Sequence, residues 1–330
     1  MAGYLKTGLK ICVTLGLLAW VFSLVDREAV LAQLARIDPV LGLAAVLAQC
    51  AQFPIGAWRW RMILAKDGVA MPFRDAFSFL MIGLLFNQVL PSTIGGDGVR
   101  VWLSARTGIG WSRAFGAVAV DRAAAIFMIL VLSVPLLPVL TPIIDNAVAR
   151  TSLTVLVLLG AAAVAVVLPL APVVMGRLVA RLPERRILRP LLAAAGQSAI
   201  LWRRGSTTAV LSLCSVLILT SHVATVWLIA LSMGVALDPL RLFALILPVM
   251  LLLAVPISIA GWGLREGLMV TALGFLDVDP SAAVAISLLW GGVTLFGGLL
   301  GGIALLLDRT DPATLFRSTG SPPPDEERPL

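Results

Sequence analysis

Long uncharged apolar runs recur along this 330-residue chain and dominate its hydropathy pattern. A helix that crosses the hydrocarbon core of a bilayer needs about 20 predominantly apolar residues. Runs long enough for such a helix occur six times, and each predicts one membrane-spanning helix. The six predicted spans cover residues 9–25, 40–57, 114–140, 152–175, 206–233 and 281–307.

Two further apolar runs, at residues 76–90 and 242–255, are shorter than the six predicted spans. Each ends in a proline and a glycine cluster, and a second short apolar stretch follows. Irregular backbone at membrane depth is tolerated where it is buried in protein or lines a cavity. The two segments are therefore predicted to be hairpins that enter the membrane and turn back on the same side.

The first apolar run has to be distinguished from a secretory signal peptide. Its apolar stretch is long, and charged residues 26–28 follow it instead of a small-residue cleavage site. The pattern predicts an uncleaved first span.

The distribution of lysine and arginine predicts the orientation, because basic residues near span ends stay on the cytoplasmic side. Lys6 and Lys10 precede the first span and place the amino terminus inside. Alternating from there, most basic residues, Arg59 among them, fall on the cytoplasmic side. The outer segments receive only Arg27, Arg36, Arg150 and Arg241. Both termini are therefore predicted to be cytoplasmic.

Composition agrees with an all-α, polytopic integral membrane protein and limits its chemistry. Hydrophobic residues make up 59% of the chain and charged residues 13%, with a mean hydropathy of +1.01. The net charge of +7 is attributed to cytoplasmic loops that face anionic lipid, not to nucleic-acid binding. Three separated cysteines and a single histidine, His222, predict no metal site, no disulfide framework and no Ser-His-Asp catalysis.

An internal repeat relates the two interrupted segments. Residues 91–100 align without gaps on residues 256–265, with five of ten positions identical and an offset of 165 residues. Each half is predicted to contain two spans, a hairpin and a third span, so the second half starts on the opposite side of the membrane. The predicted domains are an inverted pair of membrane repeats, 1–148 and 149–308, followed by a disordered cytoplasmic tail, 309–330.

In secondary transporters, paired segments broken by glycine and proline meet near the midplane and form the substrate site. A helix that starts after such a break presents free N–H groups and a positive dipole end, which favour an anion. Arg100 and Arg265 add full charge about one turn further on. We expect a cationic site for a phosphate-sized group between the two opposed tips. The predicted substrate-binding residues are Arg100, Arg265, Gly95, Gly96, Gly98, Gly261, Gly263, Asp97, Glu266, Asn87, Asp121 and Arg122.

Structural roles for the same residues stay open. Arg100 and Arg265 have Asp97 and Glu266 nearby in sequence as partners for structural ion pairs. For Asp121 and Arg122, which lie near a span end, structural pairing is favoured. An ionisable group inside a membrane is nevertheless a functional candidate by default. Asn87 is expected to hydrogen-bond the hairpin turn.

Other polar and small residues have simpler interpretations. His222 is expected to hydrogen-bond a neighbouring helix. An interfacial aromatic belt is the interpretation of Trp58, Trp60, Trp102, Trp111 and Trp202. The basic stretch 177–189 fits either an interfacial helix or an orientation signal. The glycine pairs of the last predicted span suit close helix packing, within the chain or between protomers.

Three motifs together resemble the transmembrane region of lysylphosphatidylglycerol synthases and of their stand-alone, flippase-like relatives. They are Asn87–Arg100, Val120–Arg122 and Pro256–Gly267, and the resemblance covers roughly residues 5–308. It implies movement of a lipid between leaflets of a bacterial-type inner membrane. No part of this sequence resembles the soluble synthase domain, which argues against aminoacyl transfer by this chain. Trp290 departs from the arginine found near this position in some relatives.

Three functional hypotheses follow from the residues and the resemblance. The first is a flippase-like transporter of an anionic lipid, without a cofactor or a nucleotide-binding loop and with membrane lipids as its partners. The second is an intramembrane transferase on a polyprenyl-phosphate-type or hopanoid-pathway lipid, with Asp97 or Glu266 as the base. The third is a non-catalytic partner of a lipid- or glycan-pathway enzyme. The oligomeric state stays open.

Overall fold

The computed structural model describes residues 2–23, 25–90, 95–181, 205–255 and 258–307. Within these ranges the chain forms eleven α-helices and one short π-helix, Ala105–Ile109, and no strand. The α-helices are α1 Ala2–Ser23, α2 Arg27–Leu34, α3 Pro39–Lys66, α4 Phe73–Val89, α5 Gly95–Ser104, α6 Trp111–Leu140, α7 Ala147–Arg181, α8 Gly205–Ser232, α9 Pro239–Leu253, α10 Leu264–Gly274 and α11 Pro280–Leu307. The predicted all-α class is confirmed.

Five of the helices are long and apolar enough to cross a membrane, among the residues described. They are α3, α6, the Ala147–Val166 part of α7, α8 and α11, each of which overlaps a predicted span. The polytopic membrane architecture is thereby confirmed. The first predicted span falls on α1, of which Thr14–Ser23 is a shorter apolar helix. A sixth crossing stays a prediction.

Acidic residues outside the predicted spans start several helices. The Asp38 carboxylate accepts the backbone N–H groups of Val40 and Leu41 at the start of α3. Asp238 caps α9 in the same way, and a proline follows each cap at the first helical position. Such caps satisfy backbone donors that have no partner within the helix. These local interactions fix where the two helices begin.

Helix α3 runs nine residues beyond the predicted end of its span. The extension places Arg59 and Trp60 inside the helix packing, where both are buried. The positions of Arg59 and Trp60 relative to the membrane stay predictions. Ile63 and Leu64 continue the buried face of the helix past the two residues. Trp58 stays exposed, as a belt residue would.

The two interrupted segments form helix pairs, α4 with α5 and α9 with α10. Their longest arm, α4, has 17 residues, which is about 25 Å of helix and less than the hydrocarbon core. This length fits the re-entrant interpretation. At the second tip Ala260, Gly261 and Gly263 have positive φ, which reverses the chain. Pro91 and Pro256, predicted to end the first arms, lie outside the described residues, as do most of the basic stretch 177–189 and the tail.

One helix, α11, packs against both hairpins through its glycines. A β-carbon at Gly291 would lie 2.0 Å from Arg265 Nη2, and one at Gly298 would lie 2.7 Å from Gln88 Cγ. At Gly301 it would lie 2.0 Å from the Met81 carbonyl oxygen. Packing within the chain is therefore observed for Gly291, Gly298 and Gly301.

The Gly301→Ala substitution is expected to destabilise the protein by about 1–3 kcal/mol or more. The new methyl group meets backbone, which cannot move aside as a flexible side chain does. Gly292→Ala is the matched control, because no atom lies within 4 Å of its β-carbon position. Thermal unfolding in detergent measures both. Equal melting temperatures for the two variants would contradict the packing described.

Candidate functional site

Five charged side chains at the first hairpin form a continuous ladder of ion pairs. Its order is Arg59, Asp121, Arg100, Asp97 and Arg122, contributed by α3, α5 and α6. Each carboxylate lies between two guanidinium groups and uses one oxygen for each. The packing of these three helices therefore brings the five groups into one network. The pairing of Arg100 with Asp97, one of the alternatives predicted from the sequence, is observed.

The contacts tighten toward the two ends of the ladder. Arg59 Nε donates to Asp121 Oδ1 at 2.8 Å, and Arg122 Nε donates to Asp97 Oδ2 at 2.5 Å. Between them, the donors of Arg100 lie 3.4 Å from Asp97 and 3.4–3.5 Å from Asp121. Arg100 is thus the buried cation with the longest contacts in the network.

The ladder joins the two halves of the chain at one end and reaches the surface at the other. Arg59 Nη1 donates to Ser215 Oγ on α8 at 2.9 Å. The Arg122 side chain is 52% exposed, whereas the other four charged side chains are buried. A ligand that approaches from the exposed end meets Arg122 and Asp97 before it meets Arg100.

The ladder carries an excess of positive charge, because three guanidinium groups face two carboxylates. Buried Arg100 Nε and Trp60 Nε1 have no hydrogen-bond partner among the described residues. The Arg100 guanidinium stacks on the Trp60 ring, with its carbon 4.5 Å from the ring centroid. Both free groups are donors, so the species that would satisfy them is an acceptor, and the net charge favours an anion.

Asn87 and Gly96 close the hairpin. The Gly96 backbone N–H donates to Asn87 Oδ1 at 2.9 Å, as expected for the turn interpretation of Asn87. Gly96 also packs on α4, where its β-carbon would lie 1.8 Å from the Gly83 carbonyl oxygen. The Gly96 backbone N–H therefore already has a hydrogen-bond partner within the hairpin. Of the other predicted glycines in α5, Gly95 packs beside Leu90, and Gly98 is exposed.

The second hairpin contains a neutral pair. Glu266, which is fully buried, accepts from Arg265 Nη2 at 2.8 Å and from Ser287 Oγ at 3.2 Å. Its other oxygen accepts the backbone N–H of Gly263 at 2.6 Å, at the start of α10. The anion predicted for this helix start is thus supplied by the chain itself. Gly261 shapes the turn that precedes it.

The two hairpin arginines have separate partners. Arg265 meets α11 at Gly291, whereas the first hairpin meets it around Gly301, about 15 Å further along the helix. Arg100 and Arg265 share no hydrogen-bond partner in the part of the chain that the structure describes. Contact of both arginines with one ligand stays a prediction.

Sequence reasoning missed three members of the first-hairpin network: Arg59, Trp60 and Ser215. Arg59 and Trp60 follow the predicted end of a span and have the composition of an interface. The apolar residues Ile63 and Leu64 were the signal in the sequence that the apolar helix face continues, and the structure shows both of them buried. No local pattern marks Ser215, because its partner is 156 residues away.

Comparison with known protein families identifies the chain. The family model for the lysylphosphatidylglycerol synthase TM region matches residues 8–302. The chain belongs to this family. Among curated proteins and among solved structures, no significant match to the chain is found. The resemblance seen in the three motifs is thereby confirmed, and membership in the lysylphosphatidylglycerol synthase TM family indicates an integral membrane protein of lipid metabolism or transport.

Proposed function

We propose that this protein moves an anionic, phosphate-bearing lipid between the leaflets of the inner membrane, with both of its termini in the cytoplasm. The observation that carries the proposal is the ladder, which has one excess positive charge, that of exposed Arg122, and two buried free donors, Arg100 Nε and Trp60 Nε1. The four buried charges balance one another, and the two free donors lie beside them where water is excluded. A hydrogen bond from these donors to an anion is therefore stronger than one at an exposed arginine.

Asp97 makes this site reversible. It lies between Arg100 and exposed Arg122, and its contact with Arg100 is long. A phosphate that enters beside Arg122 shares the Arg122 and Arg100 guanidinium groups with Asp97 by using donors that Asp97 leaves free, such as Arg100 Nε. Repulsion between the two neighbouring anions then favours release of the phosphate. The acyl chains stay in the bilayer while the headgroup occupies the hairpin. In the inverted repeat, Arg265 and Glu266 take the corresponding roles in the second half, and each half is exposed in turn.

Transport rather than group transfer is favoured by the carboxylates. A transferase needs a carboxylate that is free to accept a proton from the attacking group. Asp97 is held by two guanidinium groups, and Glu266 accepts from three different residues. Both carboxylates therefore already accept hydrogen bonds from the chain, Asp97 from two arginines and Glu266 from arginine, serine and backbone donors. This arrangement fits a binding role.

The Arg100→Gln variant tests the proposal in liposomes that contain acyl-labelled fluorescent phosphatidylglycerol. Dithionite bleaches only the outer leaflet, so the rate of bleaching beyond that fraction reports translocation. We expect at least about a tenfold lower rate, because the variant lowers the net charge of the ladder from +1 to zero and removes the free Arg100 Nε donor. Arg74→Gln is the matched control, since Arg74 is exposed at the start of the same hairpin. A wild-type rate for Arg100→Gln, or no wild-type rate above protein-free liposomes, would refute the proposal.

A further inference from the structure

A second polar cluster lies between α3, α8 and α11, apart from the ladder at the first hairpin. It consists of Gln49, His222, Trp290 and Thr294, and we call it the interhelical polar cluster. Gln49 Nε2 lies 3.4 Å from Thr294 Oγ1. The His222 and Trp290 rings meet edge to face, with centroids 6.2 Å apart. None of these contacts involves a charged side chain.

The register of α3 and α8 brings Gln49 and His222 to the same level. Thr225 Oγ1 lies 3.4 Å from the Ala45 carbonyl oxygen, and Arg59 reaches Ser215 further along. The two helices are therefore antiparallel. One turn beyond Ala45 on α3 is Gln49, and about one turn before Thr225 on α8 is His222.

Three atoms of the cluster are buried without a hydrogen-bond partner among the described residues. They are Gln49 Oε1, His222 Nδ1 and Trp290 Nε1. The Gln49 and Trp290 residues are 2% and 4% exposed. Buried polar atoms of this kind normally have a partner, and leaving one without it costs about 1–3 kcal/mol. Three such atoms at one level point to a ligand.

The chemistry of the three atoms selects the ligand class. Trp290 Nε1 only donates and Gln49 Oε1 only accepts, while His222 Nδ1 does one or the other according to its tautomer. A phosphate oxygen can only accept, and an ammonium group can only donate. A hydroxyl group does both, and two neighbouring hydroxyls would satisfy all three atoms. The first hairpin differs, because its free atoms are donors.

We propose that the interhelical polar cluster binds hydroxyl groups of the transported lipid's headgroup, which makes that headgroup a polyol or a sugar. The inference rests on the proposed function for the lipid, but on different atoms from the phosphate site. Trp290 directly precedes Gly291, which contacts Arg265. Hydroxyl recognition therefore belongs beside the second hairpin.

A competition between two lipids of equal charge tests this proposal. Phosphatidylglycerol and phosphatidylethanol carry the same phosphodiester charge, and only the first has hydroxyl groups. Native mass spectrometry of the full chain, offered both at equal concentration, measures the ratio retained. We expect the wild type to favour phosphatidylglycerol about fivefold to tenfold. Trp290→Phe keeps the ring beside His222 but removes the donor, and it should bring the ratio close to one.

Two further variants test whether a lost preference comes from the cluster or from misfolding of the protein. Gln49→Met removes the acceptor and should also abolish the preference, whereas Trp58→Phe changes an exposed tryptophan and should leave it intact. No wild-type preference, or a preference that persists in both Trp290→Phe and Gln49→Met, would overturn the proposal. In that case the three atoms bind water only.

Two further measurements distinguish a failure of this proposal from a failure of the proposed function. Arg100→Gln should weaken both phospholipids equally and leave their ratio unchanged. If the wild type retains neither phospholipid, the phosphate proposal fails, and monoglucosyl diacylglycerol competes with diacylglycerol in the same measurement. Retention of the glucoside, lost in Trp290→Phe, would support the hydroxyl site alone. Equal retention of the neutral pair would overturn it.

Discussion

Replacing Asp121 with alanine is expected to lower the free energy of unfolding by about 5 kcal/mol, near the top of the range for breaking a buried ion pair. Its two oxygens serve buried Arg59 and buried Arg100, so one substitution leaves both without their shared partner. The ladder would then contain three guanidinium groups and a single carboxylate. Denaturant unfolding in detergent, followed by tryptophan fluorescence, measures the change.

Two variants separate the loss of charge from the loss of packing. Asp121→Asn keeps the size and one acceptor oxygen, and should fall between the wild type and Asp121→Ala. The double variant Asp121→Ala/Arg59→Met removes one stranded guanidinium, so it should be more stable than Asp121→Ala. A double variant less stable than the single one would show that the stranded charge is not the cause.

The Glu266→Ala substitution is expected to cost about 3–5 kcal/mol and to reduce the amount of protein found in the membrane. It strands Arg265, which is buried against Gly291 and Trp262, and it frees the amide of Gly263. Fluorescence-detected size exclusion after a temperature series gives the shift in melting temperature.

The neutral partner of Glu266 provides the matched control. Ser287→Ala removes one uncharged donor to the same carboxylate and should cost about 1 kcal/mol. Arg265→Met/Glu266→Leu removes both charges and should recover most of the stability lost in Glu266→Ala. Equal losses in Ser287→Ala and Glu266→Ala would contradict a charge-driven effect.

The positions of the long helices were predictable because they depend on local properties. An apolar run of sufficient length has to be helical in a membrane, whatever packs beside it. The ends were less certain, as α3 illustrates. Arg59 interrupts the apolar run, but its charge is compensated by Asp121 from another helix, so the helix stays buried beyond it. Hydropathy cannot register a partner 62 residues away.

Only the part of the candidate site that lies within the aligned repeat segments was predictable from the sequence. Alignment of the two tips selected Arg100 and Arg265, and both are buried in ion pairs. Their surroundings differ in a way the alignment does not show. Asp97 pairs with Arg100 in the first tip, whereas the aligned Trp262 stacks on Arg265 in the second. In the second tip the carboxylate comes from Glu266, the residue after Arg265. In the first tip the ring comes from Trp60 on α3, which is a matter of tertiary packing.

The packing of α11 on the first hairpin has a consequence for biogenesis. Met81 and Gly301 touch, but 220 residues separate them in the chain. At ordinary synthesis rates of about 5–20 residues per second, Gly301 emerges about 10 to 40 s after Met81. During that interval the first hairpin is in the membrane without the surface that covers it, and Arg59 is made well before Ser215. The last helix of the described residues thus completes the first hairpin, and a chain that ends before α11 leaves that hairpin a substrate for membrane quality control.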